Sequence, residues 1–174
     1  MARVTFITGG ARSGKSSHAL AMAAEGAATP RYFIATAEAL DDEMRARIAR
    51  HRAHRPAEFV TIEAPIALAR AIAEIPDGGA GVAVIDCLTL WLSNLLGQGL
   101  DDEAIARAAD DLAAAIAAAR PRIIVVSGEV GSGIVPENPL ARRFRDLLGW
   151  TNQKIAGIAD EAFLMAAGYP LRLK

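Results

Sequence analysis

Three features of the sequence predict an α/β fold, a three-layer sandwich with a mostly parallel central sheet. Short apolar, β-branched runs alternate with helical patterns, the order expected when crossover helices cover both faces of a parallel sheet. Two of the runs, Val82-Ala83-Val84-Ile85 and Ile123-Ile124-Val125-Val126, are continuously apolar and suit central strands buried on both sides. A glycine-rich turn, Gly9-Gly10-Ala11-Arg12-Ser13-Gly14-Lys15-Ser16, joins the first strand-like run to the first helical one.

Taken in order, strands are expected at Arg3–Thr8, Arg31–Thr36, Phe59–Ile62, Val82–Asp86, Ile123–Ser127 and Ala162–Met165, with a further one at Leu171–Leu173. Helices fill the gaps at Lys15–Glu25, Asp41–His54, Ile66–Glu74, Thr89–Leu96, Glu103–Ala119 and Pro139–Asp160. In the second helix, Met44 and Ile48 are four apart and are expected to face the sheet, and Pro56 limits its continuation. In the fifth, Ile105, Ala108, Leu112 and Ile116 recur at helical spacing behind the acidic start Asp101-Asp102-Glu103. The sixth opens on Asn138 as a cap, with Pro139 at the first helical position. It is long for one helix, and Gly149 is expected to divide it. Gly78-Gly79-Ala80-Gly81 reads as a flexible turn into the fourth strand.

A length of 174 residues fits one domain, and no linker, repeat or low-complexity tail interrupts residues 1–174. With 52% hydrophobic and 22% charged residues the chain is globular in composition. The 19 basic and 20 acidic residues leave a net charge of -1, which excludes a general field for gripping nucleic acid. Cys87 is the one cysteine, so no internal disulfide forms and a reducing cytoplasm suits the chain. No signal segment precedes Val4–Thr8, and no apolar run reaches the roughly 20 residues that span a bilayer. A soluble, cytoplasmic protein is expected.

The turn Gly9–Ser16 matches G-x-x-x-x-G-K-[ST] at every fixed position. This is the P-loop, and with it the fold expectation narrows to the P-loop NTPase type, RecA-like. The glycines let backbone N–H groups point at phosphate oxygens, and the following helix adds the positive end of its dipole. Lys15 reaches the β and γ phosphates, and Ser16 offers a hydroxyl to Mg2+. A P-loop works with a carboxylate at the end of a neighbouring apolar strand. Asp86 has that position, with two roles open to it: the magnesium shell or nucleotide, and the cap of the next helix.

The second helix carries Arg45, Arg47, Arg50, Arg52 and Arg55 around His51 and His54. Two readings stand, a solvated basic face and an anion-binding surface beside the phosphate site. Like charges around His51 disfavour its protonated ring, and a neutral ring nitrogen can attack an α-phosphorus while arginines neutralise the departing pyrophosphate. His54 competes on the same turn, whereas His18 reads as a helix-surface residue. The string Gly128-Glu129-Val130-Gly131-Ser132-Gly133 follows the fifth strand, where α/β proteins place ligand loops. It is either a loop that closes over a bulky substrate or a simple connection. Arg142, Arg143 and Arg145 beyond it serve either a substrate phosphate, a neighbouring subunit or a solvated face, and Glu129 and Asp86 are both open as bases for a hydroxyl acceptor.

Together, Gly9–Ser16, Ile34-Ala35-Thr36, Asp41-Asp42-Glu43-Met44, His51-Arg52 with Arg55-Pro56, and Gly128–Asn138 resemble the bifunctional adenosylcobinamide kinase/adenosylcobinamide-phosphate guanylyltransferase family. The likeness runs from the first strand past Asn152-Gln153. It implies phosphorylation of the aminopropanol hydroxyl of adenosylcobinamide by ATP or GTP. GMP then passes from GTP to the resulting phosphate through a guanylylated histidine. By motif position His51 is implied as the GMP acceptor, with Lys15 and Asp86 beside it in catalysis. Gly9, Gly10, Ala11, Arg12, Ser13, Gly14, Lys15 and Ser16 are the phosphate site; Ile34, Ala35, Thr36, Arg52, Ala53, His54, Arg55, Glu63 and Asp86 are further GTP contacts. Ser16 and Asp86 are the implied Mg2+ ligands, and the assembly implied is a homotrimer. A P-loop kinase of another small molecule and a GTP-dependent switch are the competing functions.

Overall fold

The computed structural model describes residues 3–25, 29–39, 41–53, 56–76 and 81–174, without the side chains of residues 47, 50 and 51. Its strands are β1 (Val4–Gly9), β2 (Arg31–Ala35), β3 (Phe59–Glu63), β4 (Val82–Asp86), β5 (Arg122–Val126), β6 (Glu161–Ala166) and β7 (Tyr169–Arg172). They form one sheet in the order β3-β2-β4-β5-β1-β6-β7. Neighbours from β3 to β6 run parallel, and β7 turns back antiparallel on β6. The helices are α1 (Lys15–Ala24), α2 (Asp42–Ala53), α3 (Leu68–Ala73), α4 (Leu88–Gly97), α5 (Asp102–Ala118) and α6 (Pro139–Ile158).

The continuously apolar runs are the sheet's centre, as expected, with Val84, Ile85, Ile123, Ile124 and Val125 wholly buried. Alternate side chains feed two cores. The larger joins Phe6, Ile34, Ile85 and Ile123 to Trp91 and Leu92 of α4, Leu112 of α5 and Leu148 of α6. The smaller joins Ile7, Val84, Ile124 and Met165 to Ala19 and Ala23 of α1. Each fully buried Leu or Ile contributes about 1.5–3 kcal/mol, so the larger core dominates. Among the described side chains α2 contributes to neither core.

Two helices are capped as their sequences demand. Asp101 accepts from the Ala104 N–H at 2.8 Å, and Asn138 accepts from the Ala141 N–H at 3.1 Å ahead of Pro139. Gly149 does not divide α6, contrary to expectation: the helix is continuous for 20 residues. A mid-helix glycine costs only about 1 kcal/mol, and buried Leu147, Leu148, Thr151 and Ile155 anchor both sides of it. The last strand lies two residues earlier than expected, because Ala167 and Gly168, both at positive φ, turn the chain straight back onto β6. Gly78, Gly79 and Ala80 of the expected glycine turn lie outside the described residues.

The parallel arrangement brings the C-terminal ends of β1, β2, β4 and β5 to one side of the sheet, where their loops meet.

Candidate functional site

β1 ends on Gly9 at φ +149°, and a Cβ there would lie 2.5 Å from the Met165 carbonyl oxygen and 2.8 Å from Ser13 Oγ. No other residue fits without moving the backbone. Arg12 and Gly14 also have positive φ, and the loop is pinned from three sides. Ser13 N–H donates to the Gly10 carbonyl at 3.3 Å, Gly168 N–H to the Ser13 carbonyl at 3.0 Å, and Glu129 N–H to the Gly9 carbonyl at 2.9 Å. α1 follows with no side-chain cap and no acid in its first turn, which leaves its positive end facing the loop. The Lys15 ammonium donates to the Gly10 carbonyl at 2.6 Å and to Ser13 Oγ at 3.4 Å.

The ends of β2 and β4 are fastened by one hydroxyl. Thr36 Oγ1 accepts from Cys87 N–H at 2.8 Å and donates to the Cys87 carbonyl at 2.7 Å, while Thr36 N–H donates to the Asp86 carbonyl at 3.2 Å. Asn94 Nδ2 donates to the carbonyls of Thr36 (2.8 Å) and Pro65 (3.0 Å), which ties α4 to the same junction. The N-cap of α4 is Cys87, not Asp86. Burial, and then the adjacent Asp86 carboxylate, push the Cys87 thiol up to about 11.

These ends open on a cavity of about 1040 Å³. The P-loop from Ala11 to Ser16 forms one wall; Ala35, Glu63 and Asp86 lie at the strand ends, and Gly128, Glu129 and Val130 form another side. α2 supplies Met44, Arg45, Ile48, Ala49 and Arg52, a set at helical spacing. Arg52 pairs with Glu63 across the gap between α2 and β3. Both partners are more than half exposed, so the pair fixes geometry more than it stabilises.

The structure thus gathers Ala11, Arg12, Ser13, Gly14, Lys15, Ser16, Ala35, Arg52, Glu63 and Asp86 around one space. Gly9 and Gly10 shape the loop without lining the cavity, and Ile34 and Thr36 lie wholly buried beneath it. Ala53 is exposed at the end of α2. His51 belongs to α2, three residues beyond Ile48, with its side chain outside the description; His54 and Arg55 lie outside the described residues.

Two sequence expectations are corrected here. Met44 and Ile48 line the cavity instead of facing the sheet. The signal was present: two large apolar residues on a twelve-residue, mostly charged helix are too few for a core stripe. His18 is half-buried, not free on the helix surface: its ring packs edge-on against Phe163 with centroids 5.7 Å apart, and its buried Nε2 has no partner among the described residues. The arginines of α6, whose role the sequence leaves open, hold neighbouring backbone even though Arg142 is exposed. Arg142 donates to the carbonyls of Pro136 (3.0 Å) and Glu137 (2.6 Å), Arg145 to that of Gly131 (2.8 Å), and Arg143 to Asp102 (2.6 Å) and the Leu100 carbonyl (2.7 Å).

The second glycine-rich loop is equally well held at its start. Gly128 N–H donates to Thr89 Oγ1 at 2.6 Å, and Asn152 bonds Ser127 Oγ (2.6 Å) and the Gly128 carbonyl (3.0 Å). Glu129 Oε1 accepts from the N–H groups of Gly131 (2.5 Å) and Ser132 (3.0 Å), so this carboxylate braces its own loop.

A P-loop closing the central parallel strand β1, with a carboxylate closing β4 two strands away in the same sheet, defines a P-loop nucleotide-binding α/β protein. Among solved structures, a type III secretion system ATPase of pathogenic bacteria shares the fold, with TM-score 0.57 and 14% identity over 93% of this chain and 50% of that one. The family model described as cobinamide kinase / cobinamide phosphate guanyltransferase matches residues 5–173. The bifunctional adenosylcobalamin biosynthesis protein CobP of Pseudomonas aeruginosa is 45% identical over 97% of this chain and 96% of its own length. Its counterpart CobU of Salmonella typhimurium is 42% identical over 97% and 98%. The chain belongs to this family, a bifunctional enzyme that is both a cobinamide kinase and a cobinamide phosphate guanylyltransferase. The resemblance drawn from the motifs is borne out, and no helix among the described residues is long and apolar enough to cross a membrane.

Proposed function

We propose that both reactions run in the one cavity, and that the guanylyl group travels through His51 to adenosylcobinamide phosphate in adenosylcobalamin biosynthesis. The observation that carries this reading is the convergence of the P-loop, Asp86 and the basic helix α2 on a single space. In the kinase step the nucleotide phosphates lie on the N–H groups of Gly9 to Ser16 and the start of α1. Lys15 exchanges the Gly10 carbonyl for phosphate oxygens and spreads the charge of the moving γ-phosphoryl group. The aminopropanol hydroxyl of the corrinoid attacks the γ-phosphorus of ATP or GTP, its proton passes to Asp86 or Glu129, and the bond to the leaving nucleoside diphosphate breaks.

In the second step a neutral His51 nitrogen forms a bond to the α-phosphorus of GTP as the bond to pyrophosphate breaks. Arg52 and Arg55 neutralise the departing charge. An oxygen of the corrinoid phosphate then attacks phosphorus, the N–P bond breaks, and a diphosphate link forms. Ala35, Ala53, His54, Glu63 and Asp86 hold the GTP, while Ile34 and Thr36 act from beneath by fixing the ends of β2 and β4.

Ser16 and Asp86 both border the cavity and offer the hard oxygens that Mg2+ takes together with nucleotide phosphates and water. Bound there, Mg2+ would supply charge neutralisation on the phosphates. Assembly as a homotrimer in the cytoplasm completes the proposal. The exposed apolar residues Tyr169, Leu171 and Leu173 at the open β7 edge support contact between copies.

The test follows two labels. Incubated with Mg2+ and adenosylcobinamide, GTP labelled at the γ-phosphate should transfer label to the corrinoid, and GTP labelled at the α-phosphate should label the protein first and the corrinoid after. Label reaching the corrinoid from the γ position alone would reduce the chain to a plain kinase.

A further inference from the structure

The segment from Val130 to Leu140 exposes large apolar side chains: Ile134 is 97% exposed, Val135 58% and Leu140 59%. Such a run normally disappears into a core or a partner. Here it is presented on a loop braced on both sides of the tip, by Thr89 and Asn152 at Gly128, by Arg145 at Gly131, and by Arg142 at Pro136 and Glu137. The same loop lines the cavity through Gly128, Glu129 and Val130, and the apolar tip follows four residues along the chain, outside the lining. The N–H groups of Gly133, Ile134 and Val135 have no protein partner among the described residues.

We propose that Ile134 and Val135 form the platform on which the corrin macrocycle of cobinamide rests while its aminopropanol arm reaches into the cavity. This rests on the family activity and on the shared cavity argued above. The chemistry matches at two levels. A corrin is a flat ring edged with methyl groups, which favours contact with a firm aliphatic surface over water. Its rim also carries primary amides, whose carbonyls are suited to three open backbone N–H groups in a row. A platform outside the lining would receive the ring while its arm shares the cavity with a nucleotide. Bracing by Arg142 and Arg145 keeps the platform formed before substrate arrives, which limits the ordering entropy on binding.

The experiment compares wild type, the doubly substituted Ile134→Ser/Val135→Ser protein and a control, Val60→Ser, altered at an exposed apolar residue of β3 that does not line the cavity. Initial rates of the kinase step give KM for cobinamide and for nucleotide, and light scattering gives the assembly mass. The proposal expects KM for cobinamide to rise about tenfold or more in the double variant, with KM for nucleotide and the mass unchanged, and the control like wild type. An unchanged KM for cobinamide overturns it, and a fall in assembly mass alongside would make the loop an interface between copies. Equal rises in both KM values also overturn it, since the loop would then serve the nucleotide. If wild type phosphorylated no cobinamide while still hydrolysing GTP, the functional reading itself would fall.

Discussion

Thr36 is the hinge pin of the site, and its hydroxyl can be removed without changing the shape of the side chain. Thr36→Val keeps the buried volume and deletes two hydrogen bonds, from Cys87 N–H at 2.8 Å and to the Cys87 carbonyl at 2.7 Å. Their losses differ. The Cys87 carbonyl retains the Trp91 N–H at 3.2 Å, whereas the Cys87 N–H is left part-buried against the fully buried side chain at position 36, with only a methyl group before it. An orphaned donor out of water costs about 1–3 kcal/mol and the second bond about 0.5–1.5 kcal/mol, so a total of about 1.5–4.5 kcal/mol is expected. Thr36→Ser keeps both bonds and loses one methyl group, which costs about 1 kcal/mol. Urea unfolding at pH 7 should therefore rank wild type above Thr36→Ser and Thr36→Val last. Because the same bonds hold the chain next to Asp86, Thr36→Val should also raise KM for nucleotide in both reactions. A Thr36→Val protein within about 0.5 kcal/mol of wild type, or no worse than Thr36→Ser, would refute the argument that this hydroxyl fastens β2 to β4.

Glycine positions separate backbone need from accident. Gly149→Ala has open space for its Cβ in the middle of α6 and should raise stability by about 0.5–1 kcal/mol, a gain of about 1–4 °C in Tm by calorimetry; a lower Tm would contradict the uninterrupted helix. Gly9→Ala meets the Met165 carbonyl oxygen at 2.5 Å and should leave a folded protein whose P-loop carries about 1–3 kcal/mol of strain, read as weaker nucleotide binding by calorimetric titration. Asp160 accepts from the N–H groups of Val4 (2.8 Å) and Arg3 (2.7 Å), and these bonds hold its carboxyl below the usual carboxylate range. Since the folded pKa is depressed, the stabilisation is present above the unfolded value of about 3.9 and is lost as pH falls through the folded pKa. Asp160→Asn should therefore be less stable than wild type at pH 7, with a gap that narrows below about pH 4 in denaturation series; a gap independent of pH would contradict this.

Much of the architecture was legible because its signals are local. The strand β4 needed only four consecutive apolar residues, and the P-loop needed only its glycines, Lys15 and Ser16 between a strand and a helix. Other features depend on tertiary contacts. Gly149 reads as a break by propensity, yet about 1 kcal/mol is outweighed by the burial of Leu147, Leu148 and Ile155 on either side. Met44 and Ile48 obey helical spacing whether they face a core or a ligand, and only the sheet's layout turns that face toward the P-loop. Arg142 and Arg145 are indistinguishable from solvated arginines until the loop carbonyls of Pro136, Glu137 and Gly131 come within reach. The role of Thr36 was the least visible. As part of Ile34-Ala35-Thr36 it reads as a ligand contact, whereas its hydroxyl spans 51 positions of sequence to fasten Cys87.

The central claim is that the guanylyl group passes through His51, and peptide mapping of the labelled protein tests it most directly. Wild type, His51→Ala and His54→Ala are incubated with Mg2+ and GTP labelled at the α-phosphate, and the acid-labile, alkali-stable label is located on the chain. The account predicts label on the peptide containing His51 in wild type and in His54→Ala, none in His51→Ala, and its discharge when cobinamide phosphate is added. Label that survives in His51→Ala, or protein that transfers GMP to cobinamide phosphate without ever carrying label, would contradict it.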